Sequence, residues 1–223
     1  MSATKTVMTG TSLAFALVFG GGVYLYMNLG SIAERYIEQI ASETLGVAVT
    51  IGKLDISLQD RNATVHNLKI ANPPGFKKSH AMEVSKISVD LENVSKELIT
   101  FKDISVDKTF VYLEVTPNGT NLNTIKKGIK VSEPQGEPVQ QPKVILRRTA
   151  LTKAQLNPTV TLLNEQELNA VFVPDIILTG IGEKSNGVLA REAIAQVWQG
   201  VMKNVNKAAN QAGFYQGLSA DHL

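Results

Sequence analysis

The side chains best suited to proton transfer or metal binding here are three histidines, His66, His80 and His222. None stands at metal-ligand spacing from another, and His222 sits in the C-terminal tail. The chain has no cysteine, which removes disulfides, thiolate metal sites and cysteine nucleophiles. It contains no G-x-S-x-G elbow, no P-loop and no dinucleotide fingerprint. Asp90, Glu92, Asp103, Asp107 and Glu114 mostly alternate with apolar residues, the pattern of the solvated face of strands rather than of a catalytic carboxylate pair. Asn62, Asn93 and Asn118 each begin an Asn-x-Ser/Thr triplet, a match that is common by chance. Lys126, Lys127 and Lys130 read as the solvated face of a short helix; contact with anionic headgroups is the competing reading. A formal net charge of +2 is too small to argue for nucleic acid. These residues predict no enzyme, no metal and no cofactor.

The longest signal lies at the other end of the chain. From Thr6 to Leu29 there is no charged side chain, and Val7, Leu13, Phe15, Leu17, Val18, Phe19, Val23 and Leu25 make most of the run apolar. About 20 such residues in a helix span a bilayer's hydrocarbon core. A cleaved signal peptide would want a shorter apolar core and a small-x-small site. Instead the run ends in Tyr24-Leu25-Tyr26-Met27, and the two tyrosines suit an interfacial aromatic belt. A transmembrane anchor at 6–29 is therefore expected, after a stub at 1–5. Gly20, Gly21 and Gly22 would permit close approach of a second membrane helix. Lys5 precedes the span while Glu34 and Glu38 outnumber Arg35 beyond it, which places the N-terminus in the cytoplasm and the rest outside.

The residues beyond the anchor suffice for one domain with a core, and at 6% aromatics that core is aliphatic. Ser31 to Leu45 has helical apolar spacing, with a capping pair at Ser31 and Glu34 and a C-terminal glycine at Gly46. Strand patterns follow in 47–58, 63–70, 82–91, 104–106 and 111–115. In two of them the apolar phase slips by one residue, across His66-Asn67 and across Ser85-Lys86, which predicts β-bulges. Leu122, Ile125 and Ile129 suggest a short helix. Val131 to Pro142 carries three of the chain's prolines and no periodicity, so it divides a first β part, 31–130, from a second, 143–223. Pro174 argues for an edge strand or a bulge in 168–178. Ile194, Val197, Trp198, Val201, Val205 and Ala208 form the seam of a C-terminal helix. The predicted class is α+β: a transmembrane helix, then a mostly antiparallel, twisted and curled sheet flanked by an N-terminal and a long C-terminal helix. Ile56, Leu58, Ile87, Val89, Leu91, Val111, Leu113 and Val115 should share one apolar surface, the candidate face for lipid or a partner.

The order of several segments resembles the AsmA-like family of bacterial envelope proteins. Leu68-Lys69-Ile70-Ala71-Asn72-Pro73-Pro74-Gly75-Phe76 is similar to the family's L-x-I-x-N-P-x-G-F. Asn118-Gly119-Thr120-Asn121-Leu122 is similar to its G-x-N-L turn, and Leu178-Thr179-Gly180-Ile181-Gly182, with Gly187 and a long helix after it, to a family ending. The resemblance implies an inner-membrane anchor, a periplasmic body and a sheet curled into an apolar groove, with roles in envelope lipid homeostasis or membrane-protein assembly. Eight or nine strands make a sheet only about 40 Å wide, too narrow for a monomer to bridge two membranes. Two functions remain open. In the first, a non-enzymatic domain at the phospholipid bilayer handles a lipid ligand on an open sheet face. In the second, an accessory or structural subunit docks on a larger inner-membrane protein complex, its sheet face filled by its own helices.

Overall fold

The computed structural model describes residues 29–57, 59–95, 97–130, 142–161 and 166–213. The run at 6–28 with Gly20, Gly21 and Gly22, the position of Leu58, and residues 131–141 lie outside these. Among the described residues no helix is long and apolar enough to cross a membrane. What is described is α+β, with a mixed, mostly antiparallel open sheet and helices at both ends.

Helix α1 (Leu29–Leu45) ends where Gly46 takes a left-handed φ of 71° and its N–H bonds Ser42 O at 2.8 Å. The helix already includes Gly30 and Ser31, so Ser31 lies within it rather than capping it as expected. Strands β1 (Val49–Thr50) and β2 (Lys53–Ser57) both pair with β3 (Asn62–Ala71) and together form one edge. Next come β4 (His80–Val94), β5 (Leu98–Thr116), the short β6 (Gly119–Thr120) and helix α2 (Asn121–Gly128). Thr120 Oγ1 caps α2 by accepting from Asn123 N. Strand β7 (Lys143–Val160) runs parallel to β5 from Leu98–Lys143 to Val115–Val160, so residues on both sides of 131–142 build one sheet. The other edge is β8 (Gln166–Glu167), β9 (Val171–Val173) and β10 (Ile176–Ile181), each antiparallel to β7. Pro174 falls between β9 and β10, on an edge where a missing N–H costs no ladder bond. Helix α3 (Ala190–Gln211) closes the described chain. Strands β4 and β5 meet in an antiparallel hairpin whose last pair is Val94 with Ile99, where the Ser95 hydroxyl accepts from Leu98 N at 3.0 Å.

One line crosses the whole sheet. On every row, consecutive core residues are three apart instead of two: Ile51 and Leu54, Val65 and Leu68, Val84 and Ile87, Val106 and Thr109, Leu151 and Ala154, Val173 and Ile176. Register is kept across it, since His66 pairs Lys86 while Leu68 pairs Val84, and Asp107 pairs Thr152 while Thr109 pairs Ala154. The slips expected at His66-Asn67 and Ser85-Lys86 are therefore present, but they are not bulges of one strand against its neighbour. Each strand carries its own extra residue at the same level. Asn67, Lys108 and Lys153 on that line have φ of 53°, 54° and 53°. Both intervening residues of each row sit on the polar side, so that side has the longer contour and the sheet folds toward its apolar side.

A second line follows on β5, β7 and β10. Phe101 and Ile104, Leu146 and Thr149, and Leu178 and Ile181 are again three apart, with Gly180 at φ 72°. Here β4 is not matched, and the β4–β5 register shifts between Asp90 and Leu91. The two folds bring distant levels of the sheet together. Val144, at the start of β7, exchanges backbone bonds with Val188 just before α3, whereas Ser42 at the end of α1 binds Val49 N, level with Leu156. Val144 and Leu156 would be about 40 Å apart on a straight strand. Yet Arg191 Nη2 of α3 donates to Glu43 Oε2 of α1 at 2.7 Å.

The folded face is filled. Val111, Leu113, Val115 and Leu156 are 0–1% exposed and pack with Leu45 of α1, Leu122 and Ile125 of α2, and Trp198, Val201, Met202, Val205 and Ala208 of α3. A Cβ on Gly200 would lie 2.7 Å from Leu178 Cδ2, so the glycine sets how closely α3 seats on β10. Arg191, at the start of α3, is 7% exposed.

Lys108 is exposed, so its side chain can be changed without touching the core. Relief of its left-handed strain by Lys108→Gly roughly cancels against glycine's entropy, whereas Lys108→Val adds β-branched crowding. The two variants should differ in unfolding free energy by about 1–2 kcal/mol, glycine the more stable, in urea titrations. Equal stabilities would mean the line is not under strain.

Candidate functional site

The seven described residues of the expected apolar face all lie on the inner side of the sheet, but in three clusters. Val111, Leu113 and Val115 belong to the main core. Ile56 and Val89 pack on a second cluster of Ile51, Leu54, Ala63 and Val65, which Ile37 of α1 covers. Leu91 packs on a third, of Ile99, Val144, Leu146, Ile181 and Ala193. Ile87 bridges the first and second, and Ile104 the first and third. Ile56, Ile87, Val89 and Leu91 are only half-buried. They occupy one end of the face. Helix α1 runs antiparallel to β1 and β2, with Ser42 at Val49, Glu38 Oε1 accepting from Ile51 N at 2.6 Å, and Ile37 beside Ile56. Leu29, eight residues further back and about 12 Å along a helix, lies toward this same end.

Neither of the described histidines, His66 and His80, sits in a nucleophile–base relay. Ser79 Oγ and Glu83 Oε1 both approach His80 Nδ1, at 2.9 and 3.1 Å. A relay needs nucleophile and carboxylate on opposite ring nitrogens. His66 Nε2 meets Asp55 Oδ2 at 3.3 Å on the solvated face. Among the described residues no group of three His, Asp or Glu side chains could hold a metal ion.

Most of the carboxylates do lie on the polar side. Along the second fold line Arg147 pairs with Glu92 and with Glu183 (3.2 Å), and Arg148 pairs with Asp103. The Arg147 guanidinium holds Glu92 below the usual carboxylate range. The Ser105 hydroxyl, donating at 2.6 Å, and then Arg148 do the same for Asp103. Along the first line Lys153 holds Asp107 low at 3.0 Å.

Glu114 is the exception, and the sequence pattern misplaced it. It is 1% exposed, and its two carboxylate oxygens accept from Lys77 N at 2.7 Å and Lys78 N at 2.9 Å. Asn121 Oδ1 accepts from Glu114 N at 2.9 Å, while Asn121 Nδ2 donates to Tyr112 O and to Asn72 Oδ1, both at 2.7 Å. Asn72 Nδ2 donates to Lys78 O at 2.8 Å. Asn72 and Asn121, from two of the motifs that carry the family resemblance, are thus hydrogen-bonded to each other. Gly182 of the third motif has φ 81°, and a Cβ there would stand 2.6 Å from Val144 O. All three motifs hold backbone in place.

Two surface features were not foreseen. Phe172 is 81% exposed, Ile177 58% and Leu168 43%, all along the β8–β10 edge; Phe172 and Ile177 stand on the outer face, and Phe110 lies on that face two rows in from Phe172. Phe172 was legible in principle: it is out of phase with buried Val173 and half-buried Val171. The second feature is a cleft of about 470 Å³ between α2 and α3, where Lys126 meets Lys203 and Lys207.

Glu114→Ala should destabilise the protein by about 2–3 kcal/mol, because the Lys77 and Lys78 amides both lose their acceptor and a buried side chain is removed; an unchanged urea midpoint would refute the anchoring role. The depressed carboxylates fix a pH dependence as well. Asp103 and Glu92 bind protons more weakly when folded, so their contribution is full above the ordinary carboxylate values and is lost as pH falls below about 4. Between pH 5 and pH 3 the melting temperature should fall, and Asp103→Asn should fall less steeply; parallel curves would exclude Asp103 from the effect.

Comparison with protein-family models, with curated proteins and with solved structures found no match.

Proposed function

We propose that this chain is a non-enzymatic accessory subunit, held at a membrane by the apolar run at 6–29, that docks on a larger membrane protein complex. One observation carries the reading. The inner face that a lipid carrier would need vacant is occupied by the chain's own helices, with Val111, Leu113 and Val115 at 0–1% exposure. The two most exposed large apolar side chains, Phe172 and Ile177, stand instead on the outer side of the edge strands β9 and β10. A sheet edge offers unpaired backbone groups to a partner, and exposed aromatics supply contact area. The resemblance to AsmA-like proteins supports an inner-membrane location with a cytoplasmic N-terminus and a periplasmic body.

Lipid handling is the second reading. It is favoured by the half-burial of Ile56, Ile87, Val89 and Leu91 at the end of the face toward which α1 begins. Acyl chains entering there from the bilayer would meet apolar side chains before reaching the filled core.

Purification of the full chain in mild detergent, with mass spectrometry of both proteins and lipids, separates the two. Docking predicts a stoichiometric membrane-protein partner that Phe172→Ser/Ile177→Ser loses while its melting curve stays unchanged, and that Val89→Ser retains. A chain that purifies without protein partners, carrying lipid that Val89→Ser loses, would replace docking by lipid handling.

A further inference from the structure

The lysines of α2 acquire a meaning that their own helix does not give them. Lys126 projects from α2 into the cleft where α3 passes, and Lys203 and Lys207, one turn apart, line its other wall. No Asp or Glu lines this cleft, and among the described residues none of the three lysines forms an ion pair. On the polar side of the sheet several basic groups do have acidic partners: Lys53 pairs Asp55, Lys78 Glu167, Lys153 Asp107, Arg147 Glu92 and Arg148 Asp103. Like charges one turn apart on a helix repel, so the Lys203–Lys207 pair costs stability unless an anion is present. The cleft is also built. Its floor includes Leu122 and Met202, 4% and 5% exposed, and Asn123 adds an amide at the lip. Its volume of about 470 Å³ exceeds what a bare inorganic anion fills and falls in the range of small-ligand sites.

We propose that the cleft between α2 and α3 is a binding site for a phosphate-bearing ligand, the three ammonium groups converging on the phosphate and the Leu122–Met202 floor receiving its carbon-bearing arm. Ammonium groups bind phosphate as point charges without demanding planar, two-pronged geometry. An acidic phospholipid headgroup and a soluble phosphate ester share this chemistry. The site is independent of whether the chain docks on a complex or handles lipid, because none of its residues belongs to the apolar inner face or to the Phe172 edge.

The test uses the full chain in neutral detergent. It is titrated calorimetrically with inorganic phosphate, against chloride at matched ionic strength, and with dihexanoylphosphatidylglycerol below its micelle concentration. Binding of the lipid alone, or of both, assigns a headgroup; binding of inorganic phosphate alone assigns a soluble ester. Neutralising the cleft by Lys126→Gln, Lys203→Gln and Lys207→Gln should weaken binding about fivefold for each lysine removed. Lys86→Gln and Lys127→Gln, exposed lysines outside the cleft, should leave it unchanged. All three cleft lysines are exposed, so the fold should hold, and without anion the melting temperature should not fall, since the Lys203–Lys207 repulsion is removed; the single Lys203→Gln variant gives a second reading if it does. Failure of both ligands to bind, or equal binding by the neutralised and parent proteins, would overturn the site.

Discussion

From the β1–β2 edge to the β9–β10 edge this sheet changes phase at one level, and the rest of the structure depends on that condition. A one-residue slip in a single strand would send its remaining side chains to the wrong face or break its ladder with both neighbours. Here the slip is matched from the β1–β2 edge through Asn67, Ser85, Lys108 and Lys153 to the β9–β10 junction, so the ladders survive and the apolar face stays continuous. The cost is three non-glycine residues in the left-handed region, each worth about 1–2 kcal/mol. Cooperation across rows offsets it: no row can relax alone without misaligning its neighbours.

Folding along that line gives the helices somewhere to go. A flat sheet of this width would expose its apolar face to water. The folded one encloses α3 closely enough that Gly200 must lack a side chain, and closely enough that Arg191 reaches Glu43 on α1. The buried polar network has a related task. The 72–79 loop and the start of α2 must both be fixed against β5 before α2 can pack over Val115. Glu114 and Asn121 do this by satisfying backbone groups that would otherwise be buried without partners.

How much of this could be read from the sequence varies with residue type. The slips in β3 and β4 were legible because both flanking core positions hold large aliphatics, Val65 with Leu68 and Val84 with Ile87. The same slips in β5 and β7 were not, because the first core position beyond the line is Thr109 or Ala154, fully buried yet too small or too polar to mark a phase. Each of those long strands therefore read as separate short ones. Glu114 was misassigned for a similar reason. Alternation places it opposite Leu113 and Val115, correctly, but cannot say that the 72–79 loop folds over that side. Nor could spacing along α2 reveal the lysine cleft, since two of its three charges arrive from a helix some 80 residues later. The pairing of Asn72 with Asn121 was equally hidden, although both stood in segments already singled out.

The filling of the inner face shifts where function can reside. A residue at 0–1% exposure in a packed core makes its contacts within the chain, and a ligand could use it only by displacing a helix. Displacing α3 would forfeit the packing of Trp198, Val201, Met202 and Val205 together, a far larger loss than one acyl chain repays. What remains for partners is the boundary of the structure: the half-buried end near Ile56 and Val89, the β8–β10 edge with Phe172 and Ile177, and the cleft of three unmatched lysines. These three surfaces differ in chemistry, being apolar and recessed, apolar and exposed, and cationic. Separate partners could occupy such surfaces at once only if the surfaces do not overlap, and here they share no residue.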